Sequence, residues 1–177
     1  MYNDDLHSCK VLFKGPLKNG VIITIRRACK EDRQKLIRFY ERLSTECIYN
    51  RFMGIIRYFD PYVDRLLKGR AIVIVAEAPD GEIVGVAEAV FDEKGRAESG
   101  IAVLDDYQGL GIGSLLGKYI LEEARRAGIK KMYAYIMSSN IRALNMALKY
   151  GARIEKKYSG MTYIVFDLSE RPSDDKS

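Results

Sequence analysis

Histidine and cysteine are scarce in this chain, with one His and three Cys in 177 residues. His7 lies near the N-terminus, and Cys9, Cys29 and Cys47 are odd in number and widely spaced. Such a set offers neither a disulfide framework nor the close His/Cys spacing of a zinc site. A cysteine nucleophile would have only His7, in an N-terminal leader, as its base. Neither a resident metal nor Cys–His catalysis is expected. Long hydrophobic runs are missing too: none nears the ~20 residues that cross a bilayer. Residues 1–10 carry Asp4 and Asp5 and lack the apolar stretch of a signal peptide. A cytoplasmic protein without membrane contact is the expectation. Basic runs interleaved with aromatics are also lacking. The net charge is +5, but Lys and Arg are scattered among acids, so direct nucleic-acid contact is not expected. The positive excess suits a small anionic ligand.

What is present is the balance of a globular domain, 47% apolar and 30% charged, in a chain long enough for one sizeable core. Residues 1–20 read as a polar leader with a short apolar piece, Val11 to Phe13. The domain proper reads as 21–168, and 169–177 as a charged, disordered tail. Val21 to Arg27 is β-branched and predicts a strand. Lys30 to Leu43 has helical spacing at Leu36, Ile37, Tyr40 and Leu43. Ser44 to Phe59 predicts short helices broken at Gly54, and Asp60-Pro61 opens another. Ala71 to Ala78, Ile83 to Phe91 and Ala97 to Val103 predict three sequential antiparallel strands joined by Pro79-Asp80-Gly81 and by the turn at Asp92 to Gly95. A helix is predicted from Ser114 to about Ala127, then a strand at Met132 to Met137. Ser138-Ser139-Asn140 caps a helix through Tyr150, and a last hairpin joins Ile154–Lys157 to Thr162–Leu168.

The chain is organised around Val103 to Ser114, an apolar strand running through Gln108, Gly109, Gly111 and Gly113 into a long helix. Unbonded N–H groups and the positive dipole end of such a helix suit a phosphate, and glycines let backbone approach it. The dinucleotide pattern G-x-G-x-x-G fails because Ser114 stands in the third glycine's place. A P-loop fails because Gly117-Lys118 precedes Tyr119 and Ile112 occupies the first glycine's place. The pattern Gln-x-x-Gly-x-Gly is met in full by Gln108, Gly111 and Gly113. It resembles the acetyl-CoA diphosphate loop of the GNAT acetyltransferase superfamily. Asn140, Ala143 and Gly151 downstream resemble a second motif of the superfamily, and the element order agrees. The resemblance covers roughly 21–168. It implies an α/β (α+β) GNAT fold with a mixed, mostly antiparallel sheet of six to seven strands flanked by helices.

A narrower resemblance lies upstream. Leu43-Ser44-Thr45-Glu46, followed by Tyr49, Arg51 and Phe52, is similar to the Leu-Ser-x-Glu…Tyr-x-Arg-Phe signature of protein-lysine (Pat-type) acetyltransferases of bacteria and archaea. Lys18-Asn19-Gly20 ahead of Ile25-Arg26 fits that branch. Two departures stand out. The tyrosine that many GNAT enzymes use as general acid is replaced by Ala147, with Tyr150 out of register, and the aromatic usual after Gly151 is Ala152.

The resemblance implies acetyl-CoA as cosubstrate and a protein substrate presenting a lysine. Backbone groups of Ile101, Ala102 and Val103 would hold the pantetheine arm, with an N–H of Val103 on the thioester oxygen. Gln108, Gly109, Leu110, Gly111, Ile112, Gly113 and Ser114 would form the diphosphate loop, and Asn140 would bond the arm. A lysine amine is neutral in only about one molecule in a few thousand at pH 7, so a base is useful. Glu98 is the candidate, with burial among small neighbours expected to raise its pKa. Glu88 is its rival, and Glu46 a candidate for placing the lysine. A small-amine acetyltransferase and a non-catalytic acyl-CoA-sensing module are the alternatives.

Overall fold

A computed structural model describes residues 4–169. Eight strands form one sheet in the order β1-β2-β3-β4-β5-β6-β8-β7. They are β1 (Val11–Pro16), β2 (Ile22–Arg27), β3 (Ala71–Glu77), β4 (Ile83–Phe91), β5 (Ala97–Val103), β6 (Lys131–Met137), β7 (Arg153–Tyr158) and β8 (Met161–Asp167). Neighbours are antiparallel except β5 and β6. Five helices accompany them: α1 (Arg33–Glu41), α2 (Thr45–Phe52), α3 (Asp60–Lys68), α4 (Ile112–Arg126) and α5 (Ile141–Lys149). No helix among the described residues is long and apolar enough to cross a membrane.

Strand β3 is buried along all but its last residue, since α3 and α4 both pack on it. Its unbroken Ala-Ile-Val-Ile-Val-Ala run reflects burial on both faces. Helix α4 sits close to β4 because Gly85 has no side chain. A methyl there would come within 3.0 Å of both Ile112 and Leu116.

The eighth strand corrects the expected count. The stretch read as part of a leader pairs with β2 from Val11 to Pro16. It is an edge strand, largely exposed, with Lys14 and Pro16 on it, the composition by which edges resist further pairing. Its apolar run, Val11 to Phe13, is short and ends in Gly15-Pro16, which is why it did not read as a strand. Of the tail expected at 169–177, all but Ser169 lies outside the described residues.

Pairing of β1 with β2 also brings Cys9 to Cys29, which form a disulfide with Cα atoms 4.9 Å apart. The expectation of unpaired cysteines is therefore corrected. Their spacing of 20 residues carries no pairing signal until the hairpin is formed. Closing a loop of that length contributes about 3 kcal/mol in the chain-entropy account. Cys9→Ser, or reductant, should lower the melting temperature; an unchanged melt under reductant would refute this contribution. Beside it, Arg26 makes two bonds to Asp32 (2.6 and 2.8 Å) and one to Glu77 (2.6 Å). Burial pushes the Asp32 carboxyl up, but bonds from Arg26 and the Cys29 N–H prevail and hold it below its usual value. This corner is thus fully stabilised at neutral pH and weakens as pH falls through that lowered value.

Candidate active site

The sheet opens where its one parallel ladder ends. Strands β5 and β6 pair only at Ala97–Met132 and Glu98–Tyr133. Beyond that, β5 stays with β4 and β6 with β8. The two part like the arms of a V, leaving a cleft of about 1030 Å³. Ser99 to Val103 line one arm and Ala134 to Ile136 the other. On the side facing β6, the backbone of β5 there has no neighbouring strand and is free to bond an extended ligand.

The open end of the V meets the glycine loop. Gly109 (φ 77°) and Gly111 (φ 100°) adopt backbone that side chains disfavour. Helix α4 begins at Ile112, two residues earlier than the sequence predicts, because Gly111 itself serves as N-cap. Its first backward bond runs from Leu115 N–H to the Gly111 carbonyl at 3.1 Å. The N–H groups of Ile112, Gly113 and Ser114 are left at the helix end without a helical acceptor. Lys18 and Arg142 line the cleft at this end. Isolated basic residues resemble solvated ones in sequence, so neither was foreseen there. Cleft, loop and cations together fit a long, anionic, extended ligand such as acetyl-CoA.

Of the residues expected at the cosubstrate, Ile101, Ala102, Val103, Gln108, Gly109, Gly111, Gly113, Ser114 and Asn140 all line the cleft. Leu110 and Ile112 do not. Ile112 is 1% exposed and packs in the core, so only its backbone can serve a ligand. The Leu110 carbonyl accepts from Lys18 N–H at 3.5 Å. Gln108 turns inward through its amide, donating to the Val103 carbonyl (3.1 Å) and the Asp105 carboxylate (3.2 Å), which pins the loop to the end of β5. Asn140 caps α5 by accepting from Ala143 N–H at 3.2 Å. The Ser114 hydroxyl is already bonded to the Tyr150 hydroxyl at 2.7 Å. Tyr150 therefore works at the first turn of α4, and its sequence register gave no hint of that contact.

Glu98 does not have the expected burial. It is exposed, at the last rung of the β5–β6 ladder, and does not line the cleft. Alternation along the strand brought small neighbours to it, but none covers it. It shares a sheet face with its rung partner Tyr133, whose phenol is raised by burial and by the Glu98 carboxylate. Glu88 is the opposite case: 1% exposed, and bonded by Tyr40, Tyr62 (2.8 Å) and Arg51. Buried, engaged by three donors and absent from the cleft lining, this carboxylate is not placed to take a substrate proton.

Helix α2 borders the cleft on the face that carries Glu98 and Gly100. Ser44 caps it, accepting from Cys47 N–H at 3.3 Å. Ser44 and Cys47 also donate to Asp105, at 3.2 and 3.0 Å. Burial first, then the bond to Asp105, push the Cys47 thiol up, which keeps it protonated and a poor nucleophile. The bond from Arg51 to Glu88 spans 37 residues and was not legible in the sequence.

The model of the acetyltransferase (GNAT) family matches residues 39–152. An acetyltransferase of Pseudomonas aeruginosa is 33% identical over 133 residues, 70% of this chain and 71% of that one. Among solved structures, the GNAT domain of PAT from S. lividans superposes with a TM-score of 0.80 at 23% identity, covering 94% of this chain and 99% of that one. YncA of Salmonella typhimurium, a putative acetyltransferase solved with its cofactor acetyl-CoA, gives 0.69 at 24% identity over 88% and 99%. The chain belongs to the GNAT family of acetyltransferases, which draw their acetyl group from acetyl-CoA.

Proposed function

We propose that this protein is an N-acetyltransferase that moves acetyl from acetyl-CoA directly to the amine of a lysine on a folded protein. The observation that carries the acceptor assignment is the exposed apolar surface of the segment whose Glu46, Asn50 and Arg51 line the cleft. Helix α2 and the loop after it expose Tyr49 (50%), Ile55 (85%) and Tyr58 (78%) to solvent. Large apolar side chains held that far out suit contact with another macromolecule. A small amine would gain nothing from them. The same segment carries the signature similar to protein-lysine acetyltransferases.

Bound acetyl-CoA supplies the acetyl group as a thioester. The N–H groups of Ile112, Gly113 and Ser114 hold its diphosphate at the dipole end of α4. Backbone of Ile101 to Val103 would hold the arm, with the thioester oxygen on the Ile101 N–H, since the Val103 N–H expected from the sequence lies at the loop end of β5. Glu98, open to solvent at the foot of the V, would accept the lysine proton through water as the new C–N bond forms and the thioester C–S bond breaks, with CoA leaving as a thiolate that takes a proton from solvent. It would act in the cytoplasm, where thiol pools keep Cys9 and Cys29 reduced, so their disulfide would contribute to stability only under oxidising conditions.

That surface gives a test. Exposed Ile55→Ser/Tyr58→Ser should leave the melting temperature and the KM for acetyl-CoA unchanged. The KM for a protein acceptor should rise about tenfold, the effect of losing one ordinary interface contact. An unchanged KM for every protein acceptor would overturn the docking role of this surface.

A further inference from the structure

Arg51 is fixed in a way unusual for an arginine at a cleft. Its side chain is 16% exposed. One terminal nitrogen bonds the buried Glu88 carboxylate and lies 3.0 Å from the Tyr62 hydroxyl. Its guanidinium carbon stands 4.8 Å over the Phe52 ring. Attraction to Glu88 outweighs burial and raises its already high pKa further. Glu88 in turn accepts from Tyr40 and Tyr62. The guanidinium cannot swing away without leaving a buried carboxylate short of its cation, a change that strongly destabilises proteins.

That fixed group lies across the backbone of β5. Gly100 is the register partner of Glu88. A methyl on Gly100 would collide with the Arg51 guanidinium, so this position has to be glycine for the arginine to pass. Helix α2, which carries Arg51, buries none of its own residues. The arginine is therefore held by the sheet as much as by its helix.

The position matters because of the cleft's shape. The diphosphate end lies at Gly109 to Ser114. From there the V narrows along β5 toward its closed end, where Ala97 and Glu98 join β6. A ligand with its diphosphate at the loop runs its acyl end toward Ser99 and Gly100. Arg51 stands over that spot and lines the same cleft.

We infer that Arg51 is the wall that limits acyl length, accepting acetyl and rejecting longer chains. The inference rests on the reading of this cleft as the acetyl-CoA site. Each further methylene of a longer chain would have to press on a guanidinium already committed to Glu88. A single methylene in a closed site is worth about tenfold or more in discrimination.

The test uses calorimetry without acceptor, titrating CoA, acetyl-CoA, butyryl-CoA and hexanoyl-CoA into the intact protein. Wild type should bind acetyl-CoA about tenfold or more tighter than hexanoyl-CoA. The double variant Arg51→Ala/Glu88→Gln removes both charges, so no buried ion is stranded, and the glutamine can still bond Tyr40 and Tyr62. It should bind CoA as wild type does, with the acetyl-to-hexanoyl ratio reduced to near one. Arg51→Lys, which keeps the ion pair but shortens the head, should shift the ratio the same way by less, and it serves if the double variant does not fold. Wild type that binds hexanoyl-CoA as tightly as acetyl-CoA would overturn the inference. So would a folded variant with normal CoA affinity and an unchanged ratio. Loss of CoA binding by wild type itself is a different result, which would overturn the cleft assignment beneath it.

Discussion

Gly113→Asp should weaken CoA binding about a thousandfold while the protein stays folded and at least as stable. Gly113 is the second residue of α4, where an added aspartate favours the helix dipole. There is room for it: a Cβ at this position meets nothing closer than 3.8 Å, the Met146 sulfur. The backbone is not in the left-handed region, so no strain enters. A carboxylate there would sit among the cleft-lining residues Val103 and Met146, beside the place assigned to the diphosphate. Two like charges about 4 Å apart at an effective dielectric of about 20 repel by about 4 kcal/mol, close to a thousandfold in Kd. Gly111→Asp would be a poorer test, because φ of 100° there mixes backbone strain with repulsion. Calorimetry with CoA and a thermal melt on Gly113→Asp separate binding from folding. Normal CoA affinity in the folded variant would remove the helix end as the diphosphate site.

The second large effect is on chemistry. Glu98→Gln should lower kcat about a hundredfold at pH 7 and leave the KM for acetyl-CoA unchanged. General-base losses run from about 10² to 10⁴. The lower end applies because Glu98 is exposed, lies outside the cleft lining and acts through water. The deficit should shrink as pH rises, since more of the acceptor amine is already neutral. Glu88→Gln should behave differently, because that carboxylate holds Arg51 and two tyrosines in place. Its loss should appear in the melt before it appears in the pH profile. Wild-type kcat for Glu98→Gln at pH 7 would exclude Glu98 as the base.

The part of the molecule most open to sequence reading was the part governed by local rules. Glycines at 109 and 111 announce backbone that only glycine tolerates easily, and the strand before them and the helix after them have clear periods. The core strands β3, β4 and β5 were legible for the same reason. Strand β1 was missed because its apolar run is only three residues long and runs straight into Gly15-Pro16, which read as a turn, so its signal is its partner and not its own pattern. The Cys9–Cys29 pair and the Arg51–Glu88 pair were missed because proximity is created by the sheet, across 20 and 37 residues. Gly100 looked like one more small residue in a strand; only the arginine lying over it explains why it is there. Glu98 was read correctly as to strand but wrongly as to burial, because small neighbours along a strand do not say what packs above them.

Transfer itself tests the account most directly. Purified protein is incubated with acetyl-labelled CoA and a native extract from its own source, and the extract is then separated into macromolecules and small molecules. The account predicts label in the protein fraction, on lysine side-chain amines identified by peptide mass spectrometry and sharply reduced when Gly113→Asp replaces the wild type. Label confined to a small amine, with no acetyl-lysine formed above background, would contradict it.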